Sequence, residues 1–232
     1  MSDASPWLNL YEEPAEWLTD DEQARLGPLA CFGSLRSDAL DDTAAPGCDD
    51  ALRVYASFGT VIWRYWAAEA TTAFLVIAEA CRDRAGTKLV IGLGGGVIAS
   101  ESREALLAFG ARVANYADQW KELGDADVFI THHGLGSVHE AVARHRTDAL
   151  AAVLLGPASS GAPGSGAGSR PAVDRGRGRD RRPTTDHVSA GLDALFAQRT
   201  ELHERLLVAQ EWERRTIASW PAVARQVLAV GL

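Results

Sequence analysis

Cysteine is scarce in this chain: Cys31, Cys48 and Cys81 are the only three among 232 residues. Their unrelated spacings give neither a zinc pattern nor a disulfide framework, and the odd count predicts a reducing, cytoplasmic setting. Positive charge is also in deficit. Lys and Arg total 23 against 31 Asp and Glu, a formal net charge of −8, so the overall field argues against a nucleic-acid partner. Residues 1–13 lack both the basic and the apolar region of a signal peptide. No apolar run approaches the ~20 residues of a membrane span. What is present, 47% hydrophobic and 23% charged residues, is the composition of an ordinary globular protein.

Residues 1–50 read as a linker with short helical pieces, one of them at Asp20 to Leu26, so regular structure is expected from Ala51. Leu52 to Phe58 is a strand candidate, closed by Gly59 and Thr60. Val61 to Asp83 has apolar residues at helical spacing and ends near Gly86. Lys88 to Leu93 is a second strand, Ser102 to Phe109 a helix, Ala111 to Asn115 a third strand. Gln119 to Glu122 opens a helical turn, Ala126 to Thr131 is a fourth strand, and a helix follows from Ser137 to Arg144. Strand and helix alternate at the spacing of βα units, which predicts an α/β fold with a parallel, Rossmann-like sheet covered on both faces. In such sheets ligands bind at the carboxyl ends of the strands, so the strand-to-helix loops are where function is sought.

Residues 147–183 break the pattern. From Leu155 to Arg182 the chain is almost entirely Gly, Ala, Ser, Pro, Arg and Asp without hydrophobic period, which predicts a disordered insert. The arginine-rich run within it reads as a solvated charge run. Helical patterning returns at Thr185 or Asp186 through Leu195, and again from Glu201 to Val230 with an interruption expected near Trp220 and Pro221.

The densest chemistry lies in Phe129 to Glu140. An apolar strand delivers His132 at its carboxyl end. A loop containing Gly134 and Gly136 then lets backbone N–H groups approach a ligand, and a helix starts at Ser137. Glycines for close approach and a helix N-terminus for negative charge suit a pyrophosphate. Glu140, one turn into the helix, is placed to receive a pair of ribose hydroxyls. His132, His133 and His139 lack metal-ligand spacing, so no metal is expected. Gly92 to Val97 invites a dinucleotide reading, but Val97 stands where the fingerprint needs its last glycine. Trp63 and Trp66 read as core or interface residues.

The string from Phe129 to Glu140 resembles the donor motif of family 1 glycosyltransferases of GT-B fold, a strand followed by T-H-x-G-x-x-S-x-x-E. The resemblance implies His132 on a donor phosphate, the backbone of Gly136, Ser137 and Val138 near the phosphates, and Glu140 on the ribose. His133 stands where many members have glycine. Two further segments agree. Tyr116 and Gln119, followed by Leu123, resemble the family's aromatic-x-P-Q…L motif, which holds the base. Asp118 replaces its proline, which leaves the loop less rigid. Val54 to Thr60 resembles the first strand of the donor domain, whose Gly59-Thr60 turn lies near the diphosphate.

The agreement holds to about Arg146, is lost through Pro183, and returns from Thr184, which resembles the family's final helices. An out-of-frame reading of GC-rich DNA gives a replacement of this composition. With suitable codons, the frame one base later across residues 154–159 reads Ser-Trp-Asp-Gln-Pro, with the Asp-Gln pair sixteen and seventeen residues after Glu140, where the family places its sugar-binding pair. The resemblance thus covers a carboxy-terminal, donor-binding half. It implies an acceptor domain with the catalytic base that residues 1–50 are too short to supply, so the catalytic residues are unknown. Three readings stay open: a donor half that transfers sugar from UDP- or dTDP-sugar to a small-molecule hydroxyl when complete; a non-catalytic subunit that needs a separate acceptor-domain chain; and an inactive fragment. None needs a cofactor beyond the donor substrate.

Overall fold

The computed structural model describes residues 8–12, 14–15, 18–33, 51–132, 134–144, 150–153 and 183–230. Regular structure begins well before Ala51. Strands β1 (Asn9–Tyr11) and β2 (Leu29–Cys31) pair in parallel around helix α1 (Asp20–Leu26), whose start is fixed by a capping box between Thr19 and Glu22. Three-residue strands carry no readable period, which is why the pattern shows only the helix.

The main sheet has five parallel strands in the order β5-β4-β3-β6-β7. They are β3 (Leu52–Ser57), β4 (Thr87–Gly92), β5 (Arg112–Ala114), β6 (Val128–Thr131) and β7 (Leu150–Val153). β3 and β6 are buried on both faces, as the interior strands of a parallel sheet must be. Val54, Ala56, Val128 and Ile130 join one core. On that side lie α3 (Ala67–Arg82), α4 (Ser100–Ala108) and α7 (Thr185–Ala197), which contribute Phe74, Ile77, Leu106 and Leu192. Tyr55 and Phe129 point the other way and stack at 5.3 Å against α5 (Gln119–Asp125) and α6 (Leu135–Arg144). At the amino ends of the strands, Asp127 accepts the Arg53 backbone N–H at 2.7 Å and pairs with the Arg53 guanidinium at 3.3 Å, tying β3 to β6.

Four further expectations are corrected. The helix predicted over 61–83 is two, α2 (Ile62–Tyr65) and α3, because Trp66 leaves helical geometry with ψ 40. Helix α6 starts two residues earlier than Ser137. Helix α8 (Arg199–Val230) passes through Pro221 without interruption, and the Ser219 hydroxyl donates to the Thr216 carbonyl in the turn before the proline. Disorder is expected across 147–183, yet Leu150–Val153 form β7, which pairs along the length of β6. The Ala-rich composition favours helix in isolation, and pairing with a buried neighbour overrides that preference. Residues 147–149 and 154–182 lie outside the described ones.

Candidate functional site

The strand order fixes where a site can form. From β3 the chain moves through α3 to β4 and β5 on one side, then crosses back through α5 to β6 on the other. The topological switch point therefore lies between β3 and β6, and ligands of such sheets bind in the crevice beyond it. The loops there begin with Gly59 and His132. Gly59 has φ +65, a conformation in which side chains are strained, and a Cβ on it would stand 3.4 Å from His132 Cε1. A Cβ on Gly134 would stand 3.0 Å from the same carbon. His132 is thus sandwiched between two glycine backbones at the mouth of the switch point, half-buried.

Helix α6 follows with its amino end at this mouth. Gly134 accepts the first helical bond, from Val138 N–H at 3.0 Å, and the first turn of the helix carries no acidic side chain. Its leading N–H groups and dipole present partial positive charge there. A carboxylate approaches it: Glu12 Oε1, following β1, lies 3.8 Å from where a Cβ on Gly136 would stand.

Gln119 opens α5 and reaches across to α6. Its amide donates to Glu140 Oε2 at 2.7 Å and to Ser137 Oγ at 3.3 Å. Asp118, in the place where the resembled motif has proline, does not leave the loop slack. Its carboxylate accepts the Lys121 N–H at 3.2 Å and caps α5, so a side-chain cap restrains Gln119 where a ring would have. Asp before a helix start is itself a capping signal in the sequence.

Tyr116 is 78% exposed and leans over the loop after β4, its hydroxyl end so close to Gly95 that no Cβ fits between them. Gly94 takes φ +56, and a Cβ there would meet the Gly59 carbonyl oxygen at 2.5 Å and Thr60 Cγ2 at 3.6 Å. Gly96 is covered by the Trp63 ring. The glycine run therefore serves as a packing surface that locks the ends of β3, β4 and β5 together. The Gly95 N–H is engaged with Asn115 O and the Gly96 N–H with Leu93 O.

Nine of the ten candidate residues thus fall in two linked groups. Gln119, Ser137 and Glu140 bond directly; His132, Gly134, Gly59 and Thr60 pack at the switch point; Gly136 and Val138 lie on α6 between them. Tyr116 stands apart from both, on the Gly95 side, with its ring open to solvent. His133 lies outside the described residues. His139 faces away from the site and is buried against α8. Among the described residues no cluster of potential metal ligands occurs. A cleft of about 310 Å³ between β2 and α8, lined by Cys31, Arg215 and Thr216, includes none of the candidate residues.

Beneath the site, burial pushes the Tyr55 phenol up to about 12, with Glu122 and Glu140 adding to the rise and the Ser57 hydrogen bond opposing it. Tyr55 is therefore neutral near pH 7 and is no base there.

No family model matches the chain, and no curated protein matches it. Solved structures do. The glycotransferase of kitacinnamycin is 22% identical with a TM-score of 0.59, over 95% of this chain and 55% of that one. A UDP-glucose:anthocyanidin 3-O-glucosyltransferase, solved in complex with UDP, is 12% identical with a TM-score of 0.55, over 96% and 53%. The spinosyn forosaminyltransferase is 13% identical with a TM-score of 0.51, over 97% and 55%. The chain has the fold of GT-B glycosyltransferases and spans about half the length of the structures it matches.

Proposed function

We propose that this chain binds a UDP- or dTDP-linked sugar and is the donor-binding half of a glycosyltransferase acting on a small-molecule hydroxyl. The observation that carries the reading is the convergence at the β3–β6 switch point. A half-buried imidazole, the amino end of a helix free of acidic side chains in its first turn, and a carboxylate already bonded to Gln119 stand in a row there. Each suits one part of the ligand. The α6 N–H groups and His132 take the diphosphate, Glu140 the ribose hydroxyls, and Gln119 with Tyr116 the base. In transfer, charge develops on the departing diphosphate, and fixed donors at that position stabilise it. His132 and the start of α6 are those donors, and the reaction is an inverting displacement in the resembled family.

The base that deprotonates the acceptor belongs, in this reading, to a separate acceptor domain. His139 is not a substitute, because it is 4% exposed and bonded to Glu213. A second form of the same reading is a donor-binding subunit that turns over only with an acceptor-domain partner. Titration of the chain with UDP, dTDP and ADP tests the reading. Saturable binding of UDP or dTDP in preference to ADP supports it, and binding of none of the three overturns it.

A further inference from the structure

Helix α6 is held from two sides by adjacent residues. Glu140 takes the Gln119 amide from α5, while His139 donates through Nδ1 to the Glu213 carboxylate of α8. The second contact is buried, with His139 4% and Glu213 2% exposed. Its surroundings are shaped to it. The Trp212 ring lies 5.8 Å from the imidazole, and the Glu213 Oε2 atom fills the space over Gly33, just past β2, where any Cβ would collide with it.

A buried polar pair of this kind is a poor source of stability, since well-packed apolar side chains of similar volume do as well or better. What it supplies is direction. Apolar contacts tolerate small rotations of a helix, whereas a hydrogen bond with one donor and one acceptor does not. Successive side chains lie about 100° apart around a helix, so the angle that points His139 at α8 also points Glu140 at Gln119. We infer that His139 and Glu213 are positioning residues that set the rotation of α6, and through it the placement of Ser137, Glu140 and the leading N–H groups relative to His132. The inference rests on the donor-site reading of α6. The segment before Ala51 takes part as well, because Gly33 gives Glu213 its seat.

The test compares UDP affinity, thermal unfolding and amide exchange over residues 139–144 in four proteins: the unaltered chain, the double variant His139→Leu with Glu213→Leu, His139→Gln, and Arg84→Ala. Gln at 139 retains an N–H donor for Glu213. Arg84 pairs with Asp193 and lies over Phe196, remote from α6. The double variant is expected to unfold at or near the temperature of the unaltered chain yet to bind UDP about tenfold more weakly, with faster exchange in α6. His139→Gln is expected to recover most of the affinity, and Arg84→Ala to bind UDP normally. A folded double variant with unchanged affinity and unchanged α6 exchange overturns the inference. Should the double variant not fold, His139→Gln against His139→Met gives the same contrast, and equal UDP affinity in those two overturns it. If the unaltered chain does not bind UDP, the donor-site reading falls; unchanged α6 exchange in the double variant would then overturn the clamp on its own account.

Discussion

The side-chain amide of Gln119 donates to Glu140 Oε2 at 2.7 Å, joining the first turn of α5 to the second turn of α6. Two residues assigned to different parts of one ligand, its base and its ribose, are thereby fixed relative to each other before any ligand arrives. The bond occupies one carboxylate oxygen and leaves the other for a hydroxyl donor. Removing the amide frees Glu140 to move. Gln119→Ala is expected to weaken UDP binding roughly five- to tenfold, the scale of about 1 kcal/mol for one hydrogen bond, with little change in thermal stability. Calorimetry beside thermal unfolding separates the two effects.

Glu12 brings a negative charge to the amino end of α6, close to Gly136, where the reading places a diphosphate. Like charges there repel, and a charge at a helix terminus is worth about 0.3–1 kcal/mol. Glu12→Gln is expected to tighten UDP binding about two- to fivefold, more at low salt than at high. Equal affinity in the two proteins across the salt series would show that Glu12 lies outside the phosphate field.

Gly94→Ala is expected to damage the site from a distance. Its φ is +56, and the added Cβ would meet the Gly59 carbonyl oxygen at 2.5 Å, a backbone atom that cannot swing aside. The cost exceeds the ~1 kcal/mol of backbone strain alone, and the displaced Gly59 turn carries His132 with it. A lower unfolding temperature together with weaker UDP binding is the expected pair of results. Gly110→Ala serves as the comparison, since its φ of +85 brings the strain but nothing lies within 4 Å of its Cβ.

Alkaline pH offers a check on the core. Burial pushes both the Tyr55 phenol and the Cys81 thiol up to about 12, from 10.0 and 9.0. Each group is neutral below its unfolded value, so its contribution to stability is full there and is lost as pH rises toward 12. Stability is expected to fall between pH 9 and 12, and the steepness to lessen in Tyr55→Phe with Cys81→Ala. Denaturant unfolding across that range measures it, and an unchanged slope in the double variant would place the loss elsewhere.

The sheet and the site were legible to different degrees. In the main sheet β3 and β4 stand out because apolar runs end at glycines, β5 and β6 because short apolar runs recur at the spacing of βα units, and His132, Ser137 and Glu140 because glycine spacing and a helix start are local signals. Strands β1 and β2 do not, since three residues have no period and their pairing spans about twenty residues of chain. The seat of Glu213 at Gly33 and its bond to His139 were unreadable for the same reason: nothing in either segment names the other. Trp66 and Pro221 show two local rules with opposite outcomes. A break arose where helical spacing predicted none, and a proline predicted to interrupt α8 was absorbed by a helix anchored through Phe32 and Trp220, 5.9 Å apart, and through Glu213.

Calorimetric titration of the unaltered chain, His132→Ala and Glu140→Ala with UDP tests the donor-site assignment most directly. The unaltered chain is expected to bind with a Kd on the order of 0.1–1 mM, and each substitution to weaken binding while leaving the unfolding temperature near that of the unaltered protein. Binding that is unchanged in both variants would contradict the assignment of the β3–β6 switch point as a diphosphate and ribose site.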